Sequence, residues 1–159
     1  MYTLRNSLLF LCLIIFVSFS FAEVKKDLNE PIIITSQSLI NDNKAKIATF
    51  EGNVIAKKGE VTLNANKMIV YYEDEEKGGN IKMIEAIGNV KLQKADRLIT
   101  ANKAIYYPEP EEKAVFTGEP RVTEGKNLIT GEKITYFLKD DKAIIEKSKV
   151  YLKERKTNK

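Results

Sequence analysis

The chain has 159 residues, 43% of them hydrophobic and 30% charged, with a net charge of +4 and no histidine. The lack of imidazole removes the commonest general base and the commonest nitrogen ligand for metals, which excludes hydrolytic triads. The one cysteine, Cys12, lies in an apolar N-terminal run, so the rest of the chain has no disulfide, thiolate nucleophile or sulfur ligand.

That run is the first element. Arg5 gives it a positive start, Leu8 to Val17 an apolar centre and Ser20-Phe21-Ala22 a small-x-small end, the three parts of a secretory signal peptide. The apolar stretch is short for a membrane span of roughly 20 residues. Residues 1–22 are therefore expected to be removed, with cleavage between Ala22 and Glu23, and retention of the segment as an anchor is the alternative. Arg5 is the only charge lost with it, and the remaining mild positive excess suits an acidic partner. Residues 23–30 read as a flexible segment, 31–153 as a single domain and 154–159 as a disordered basic tail.

From Pro31 onward the chain alternates apolar and polar residues in runs rich in Val, Ile, Thr, Tyr and Phe, the pattern of β-strands. Two phrases recur. One reads Glu51-Gly-Asn-Val-Ile-Ala56, Ile87-Gly-Asn-Val-Lys-Leu92 and, worn, Thr117-Gly-Glu-Pro-Arg-Val122. The other reads Leu63-Asn-Ala-Asn-Lys-Met68, Ile99-Thr-Ala-Asn-Lys-Ala104 and Ile129-Thr-Gly-Glu-Lys-Ile134, with a fainter copy at Ile34-Thr-Ser-Gln-Ser-Leu-Ile40. Gly52, Gly88 and Gly118 are spaced by the same two intervals as Ala65, Ala101 and Gly131, so one unit has been copied. Repeats of roughly 20–50 residues mark stacked arrays. The longer interval contains Glu73-Asp-Glu-Glu-Lys-Gly-Gly-Asn80, a polar loop.

Turns are expected at Asn41–Asn43, Lys58–Glu60, Gly78–Asn80, Pro108–Glu112, Glu124–Lys126 and Lys139–Lys142. Such short connections imply antiparallel, up-and-down pairing. Gly52, Gly88, Gly118 and Gly131 fall within the strand runs, where glycine marks a bulge or bend. The apolar phase also slips in mid-run: Leu63 and Ala65 share one parity, Met68, Val70 and Tyr72 the other. Each strand is thus predicted to bend and cross from one sheet to a facing one. The fold class is all-β, a twisted antiparallel jelly roll forming a V-shaped sandwich of repeated bent strands around an apolar slot. Its walls are assigned to Ile32, Ile34, Leu39, Phe50, Val54, Leu63, Met68, Val70, Ile84, Val90, Leu92, Ala104, Tyr106, Phe116, Val122, Ile134, Tyr136, Leu138 and Val150.

No chemistry-bearing constellation appears along these runs. The carboxylates at Glu73–Glu76, Glu109, Glu111, Glu112, Asp140 and Asp141 fall in turns and read as solvated charges. No glycine-rich phosphate loop opens a helix, and no serine sits in a nucleophile motif. Aromatic pairs such as Tyr106-Tyr107 beside lysines can stack bases, but export and the balancing glutamates argue against nucleic acid. The expectation is a protein that is not an enzyme, with no cofactor and no metal site.

The phrases Phe50-Glu-Gly-Asn-Val-Ile-Ala56, Leu63-Asn-Ala-Asn-Lys-Met68, Ala86-Ile-Gly-Asn-Val90, Thr100-Ala-Asn-Lys-Ala104 and Thr117–Val122, in that order and spacing from about Pro31 to Leu152, resemble those of the OstA-like periplasmic lipopolysaccharide-transport proteins, the LptA family. The resemblance implies a periplasmic carrier or bridge that moves lipopolysaccharide from the inner to the outer membrane. In such a protein the lipid A acyl chains sit in an apolar groove. It also implies end-to-end homo-oligomers, an inner-membrane-anchored LptC-like partner and an outer-membrane LptD-like translocon. Carried onto this chain, the lipid contacts fall on Ile32, Ile34, Tyr106 and Val90 or Leu92. The full groove set is Ile32, Ile34, Leu39, Phe50, Val54, Met68, Val70, Val90, Leu92, Ala104, Tyr106, Phe116, Ile134, Tyr136 and Leu138. Lys57, Lys58, Lys91 and Lys94 are placed at the rim, near phosphate, and the edges at Pro31–Thr35 and Lys149–Lys153 are expected to extend the sheet into another copy. An anchored LptC-like component and a structural β-array without a ligand remain as alternatives.

Overall fold

A glycine followed by a residue that tolerates the left-handed region inserts an extra, sharply turned residue into a strand, and the fold is organised around that device. In the computed structural model, which describes residues 30–74 and 79–153, the pairs Gly52-Asn53, Gly88-Asn89 and Gly118-Glu119 all have positive φ, +82 and +46, +77 and +49, and +75 and +58 degrees. The predicted leader, residues 23–29, residues 75–78 of the acidic loop and the basic tail lie outside the described residues.

The described strands form one unclosed antiparallel sheet of 12. β1 (Ile33–Thr35) and β2 (Ser38–Asp42) pair with opposite halves of β3 (Ile47–Lys58), which is followed by β4 (Val61–Tyr72), β5 (Ile81–Lys94) and β6 (Arg97–Tyr107). β7 (Lys113–Thr117) and β8 (Arg121–Glu124) pair with opposite halves of β6, and β9 (Asn127–Thr130), β10 (Lys133–Phe137), β11 (Lys142–Glu146) and β12 (Lys149–Tyr151) complete the sheet. No helix occurs among the described residues.

Register breaks align the bends. The β3–β4 ladder slips between Glu51 and Val54, the β5–β6 ladder between Ile87 and Val90, and the β4–β5 ladder between Asn64 and Lys67, where the apolar phase switches. On one side of this line β1, the C-terminal half of β3, the N-terminal half of β4, the C-terminal half of β5, the N-terminal half of β6, β8, β9 and β12 form the first wall. On the other side β2, the remaining halves of β3 to β6, β7, β10 and β11 form the second. The jelly-roll expectation, with each limb bent between two sheets, is therefore met. β3 to β6 pass the bend unbroken, and the outer limbs are split there into separate strands.

The repeated phrases meet in space at the bend. A Cβ on Gly88 would lie 2.7 Å from the Asn66 side-chain nitrogen, and one on Gly118 would lie 2.8 Å from Cβ of Asn102. The glycine of one phrase therefore seats the Asn of the other, and the Asn102 backbone amide donates to the Gly118 carbonyl at 3.0 Å. Gly131 differs from the expectation: it lies between β9 and β10 and outside the left-handed region. There glycine answers crowding, since a Cβ would meet Ile145 at 2.5 Å and the Glu146 carbonyl oxygen at 2.7 Å. The hairpin at Ala95-Asp96, with Ala95 at φ +51, had no glycine or proline to announce it.

Candidate functional site

Directly opposed residues of an antiparallel sheet share a face, so the register traces the lining of the slot. Across the first wall the row Ile34, Ala56, Leu63, Leu92, Ile99, Val122, Ile129, Val150 is apolar from edge to edge. Across the second, Leu39, Phe50, Met68, Ala86, Ala104, Phe116, Ile134 and Ile145 form the matching row. Val54, Met68, Val70, Val90, Leu92, Ala104, Tyr106, Phe116, Ile134 and Tyr136 of the expected groove set are buried. Ile32, Ile34, Phe50 and Leu138 are partly buried against that core.

Two assignments need correction. Leu39 is 57% exposed and Val150 49% exposed, so neither is a buried wall residue. Both share the register of the inner rows, but β2 and β12 are edge strands, and among the described residues no strand pairs beyond them. Ile99, in the middle of the first row and fully buried, was missing from the expected walls although its parity matches Ala101. The exposed large apolar side chains concentrate on the edges: Ile33 on β1, Leu39 and Ile40 on β2, Ile144 on β11, and Val150, Tyr151 and Leu152 at β12.

Between the wall tips, opposite the bends, a cleft of about 50 Å³ remains, lined by Ile32, Ala56, Leu63, Leu92, Tyr106 and Leu138 with Lys57 and Lys58 beside it. Two polar clusters tie the tips together. Lys58, at the end of β3, donates to Glu112 Oε1 at 2.7 Å and to the Tyr106 hydroxyl at 3.3 Å, and that hydroxyl donates to the same carboxylate at 3.1 Å. One repeat later Lys94 donates to the Tyr136 hydroxyl at 3.2 Å and to Asp141 at 3.1 Å; Arg97 donates to Asp141 at 2.7 Å, and Tyr136 to the same oxygen. The reading of Glu112 as a solvated turn charge is thereby overturned, whereas Asp141, though paired, keeps its side chain 53% exposed in its turn. Glu112 is only 7% exposed, and a carboxylate so deeply placed must be paired.

The electrostatics follow from these partners. Burial opposes the Lys58 ammonium, but Glu112 and Tyr106 more than offset it and its pKa is raised. Burial, assisted by the Glu112 charge, pushes the Tyr106 hydroxyl up to about 12. The Tyr136 hydroxyl and then Lys94 hold the Asp141 carboxyl down at about 2. Of the four lysines expected at the rim, Lys58 and Lys94 are engaged in these clusters, while Lys57 and Lys91 are exposed. No group of three or more metal-ligating side chains occurs among the described residues.

An unclosed sheet of bent strands around an apolar slot defines an all-β jelly roll of the OstA-like class. Residues 33–142 match the family model described as LptA/(LptD N-terminal domain) LPS transport protein, and the chain belongs to that family. It is similar to the lipopolysaccharide export system protein LptA of Haemophilus influenzae, 33% identical over 81 residues that cover 51% of this chain and 46% of that protein. It is also similar to LptA of Escherichia coli K12, 27% identical over 124 residues, 75% of this chain and 66% of that one. The chain thus spans less than two thirds of either relative. The crystal structure of LptH from Pseudomonas aeruginosa, described as an LptA-homologous periplasmic component of the lipopolysaccharide transport device, superposes with a TM-score of 0.69 at 16% identity. That match covers 80% of this chain and 99% of LptH, and it establishes the shared fold.

Proposed function

We propose that the protein is a periplasmic carrier that binds lipopolysaccharide by its lipid A acyl chains and forms part of the bridge to the outer membrane. The observation that carries this reading is the pair of apolar rows that run from edge to edge and emerge uncovered at Leu39 and Val150. A packed core serving stability alone has no reason to leave its inner face open at both ends. Family membership and the periplasmic, lipopolysaccharide-exporting relatives supply the occupant. At about 25 cal/mol per Å² of apolar surface hidden from water, acyl chains gain ample driving force from such a slot, and no chemical step is required.

Loading an acyl chain between the walls parts them at their tips, where the Lys58 and Lys94 clusters join them. Among the described residues, the edges of the first wall, β1 and β12, and of the second, β2 and β11, are paired on one side only. They suit end-to-end contact with another copy, with an anchored LptC-like protein or with the N-terminal domain of an LptD-like translocon. Replacing Ile34 by Asp tests the slot. A carboxylate in the inner row is expected to lower lipopolysaccharide capture about tenfold in a photo-crosslinking assay while leaving the fold intact, because β1 is a short edge strand. Full retention of crosslinking would overturn the slot as the binding site.

A further inference from the structure

Among the described residues, Lys58 is the charged side chain whose ammonium is both tied to a buried carboxylate and set beside the apolar cleft. Replacing such a pair by apolar side chains is often neutral or stabilising, so stability gives little reason to retain it. The repeat supplies a comparison. The equivalent cluster around Lys94 holds Asp141 with its side chain 53% exposed, adds Arg97, and borders no part of that cleft. At Lys58 the carboxylate is instead drawn inward and Ile32 and Leu138 line the cleft beside it, while in both clusters the ammonium stands over a tyrosine ring, 6.0 Å from the Tyr106 centroid and 5.9 Å from that of Tyr136. A fixed cation at the mouth of an apolar cleft matches a molecule with an apolar chain and an anionic head.

We propose that Lys58 is the recognition group for a phosphate carried on an amphiphile whose chain enters the cleft, and that Glu112 is an internal counter-ion that the phosphate displaces. This rests on the reading of the slot as an acyl-chain site and adds to it the headgroup contact. In the empty protein Glu112 compensates the ammonium; when the chain enters, the phosphate takes over that pairing, and the Tyr106 hydroxyl, free to rotate, donates to phosphate in place of carboxylate. The negative charge of the phosphate takes over from Glu112 in favouring the ammonium form of Lys58. Parting the wall tips and freeing the cation are then one event, since Lys58 belongs to the first wall and Glu112 to the tip of the second.

Binding of dodecyl phosphate, dodecyl maltoside and inorganic phosphate to the exported chain, measured by calorimetry, tests this. Wild type is expected to prefer dodecyl phosphate over the maltoside and to ignore inorganic phosphate. Lys58→Met is expected to weaken dodecyl phosphate about tenfold, the loss of one charge-assisted contact, and to spare the maltoside. Glu112→Gln, which removes the competitor, is expected to strengthen dodecyl phosphate several-fold; Lys82→Met, an exposed site outside the cleft lining, controls for net charge. Should Glu112→Gln lose maltoside binding and so prove misfolded, Lys58→Arg decides, because it is expected to keep the phosphate preference. Equal binding of both amphiphiles in wild type and variants would overturn the headgroup assignment and leave the slot standing. Failure of both to bind would overturn the slot and with it the headgroup assignment, and inorganic phosphate binding as well as dodecyl phosphate would overturn the amphiphile.

Discussion

Gly88 shows how much a single residue settles in this protein. Its φ of +77 degrees suits glycine, and an added methyl would press 2.7 Å from the Asn66 side-chain nitrogen. Gly88→Ala is therefore expected to destabilise the fold by about 1–3 kcal/mol in denaturant unfolding. Adding Asn66→Ala should restore part of that loss, since it removes the crowding and leaves the dihedral strain. Gly125, at φ +58 with open space around it, provides the contrast: Gly125→Ala should lose only the dihedral share, about 1 kcal/mol. Equal losses at the two glycines would mean that seating Asn66 contributes nothing. Gly88 is also a place where sequence and structure agree closely, because a glycine beside an asparagine in mid-strand, together with a slip of apolar parity, marks a bulge by local pattern alone. Glu112 is the opposite case. Within Pro108-Glu-Pro-Glu-Glu112 it reads as a turn charge, and its burial depends on Lys58, 54 positions away, a pairing that no local pattern encodes.

At the scale of the element, the edge strands β1, β2, β11 and β12 differ from the rest. Inner strands β7 and β10 bury alternate residues with regularity, β10 through Ile134 and Tyr136, whereas every residue of β2 and β12 is exposed. Parity placed Leu39 and Val150 on the inner face, and the register agrees, but parity cannot tell an edge from an interior strand. That distinction depends on what pairs with what, and it explains why those two residues were expected to be buried. Because β12 has only three residues and its ladder runs along β9, a proline at Val150 should leave the isolated fold in place. It should also remove a backbone donor and spoil the flat edge. Val150→Pro is expected to shift the protein from oligomer toward monomer in sedimentation velocity. An unchanged distribution would contradict assembly through this edge.

Taken as a whole, the molecule is a sheet folded along a line of bulges so that each copy of the repeat adds a step to both walls. The repeat was legible because its two phrases keep the same spacing, and their contact at the bend supplies the physical reason: the glycine of one must seat the asparagine of the other. What the sequence left open was the closure at the far side, where Lys58 with Glu112 and Lys94 and Arg97 with Asp141 join the wall tips. Bends on one side, charged ties on the other and open apolar rows at both ends fit the proposal of a slot that lengthens by stacking and opens along one seam. The central claim is that this slot holds acyl chains. Its most direct test is mass spectrometry of lipids extracted from the protein after purification from the periplasm of a Gram-negative cell. Acylated, phosphorylated glycolipid recovered in near-stoichiometric amount is the expected result, and protein that comes out empty would contradict it.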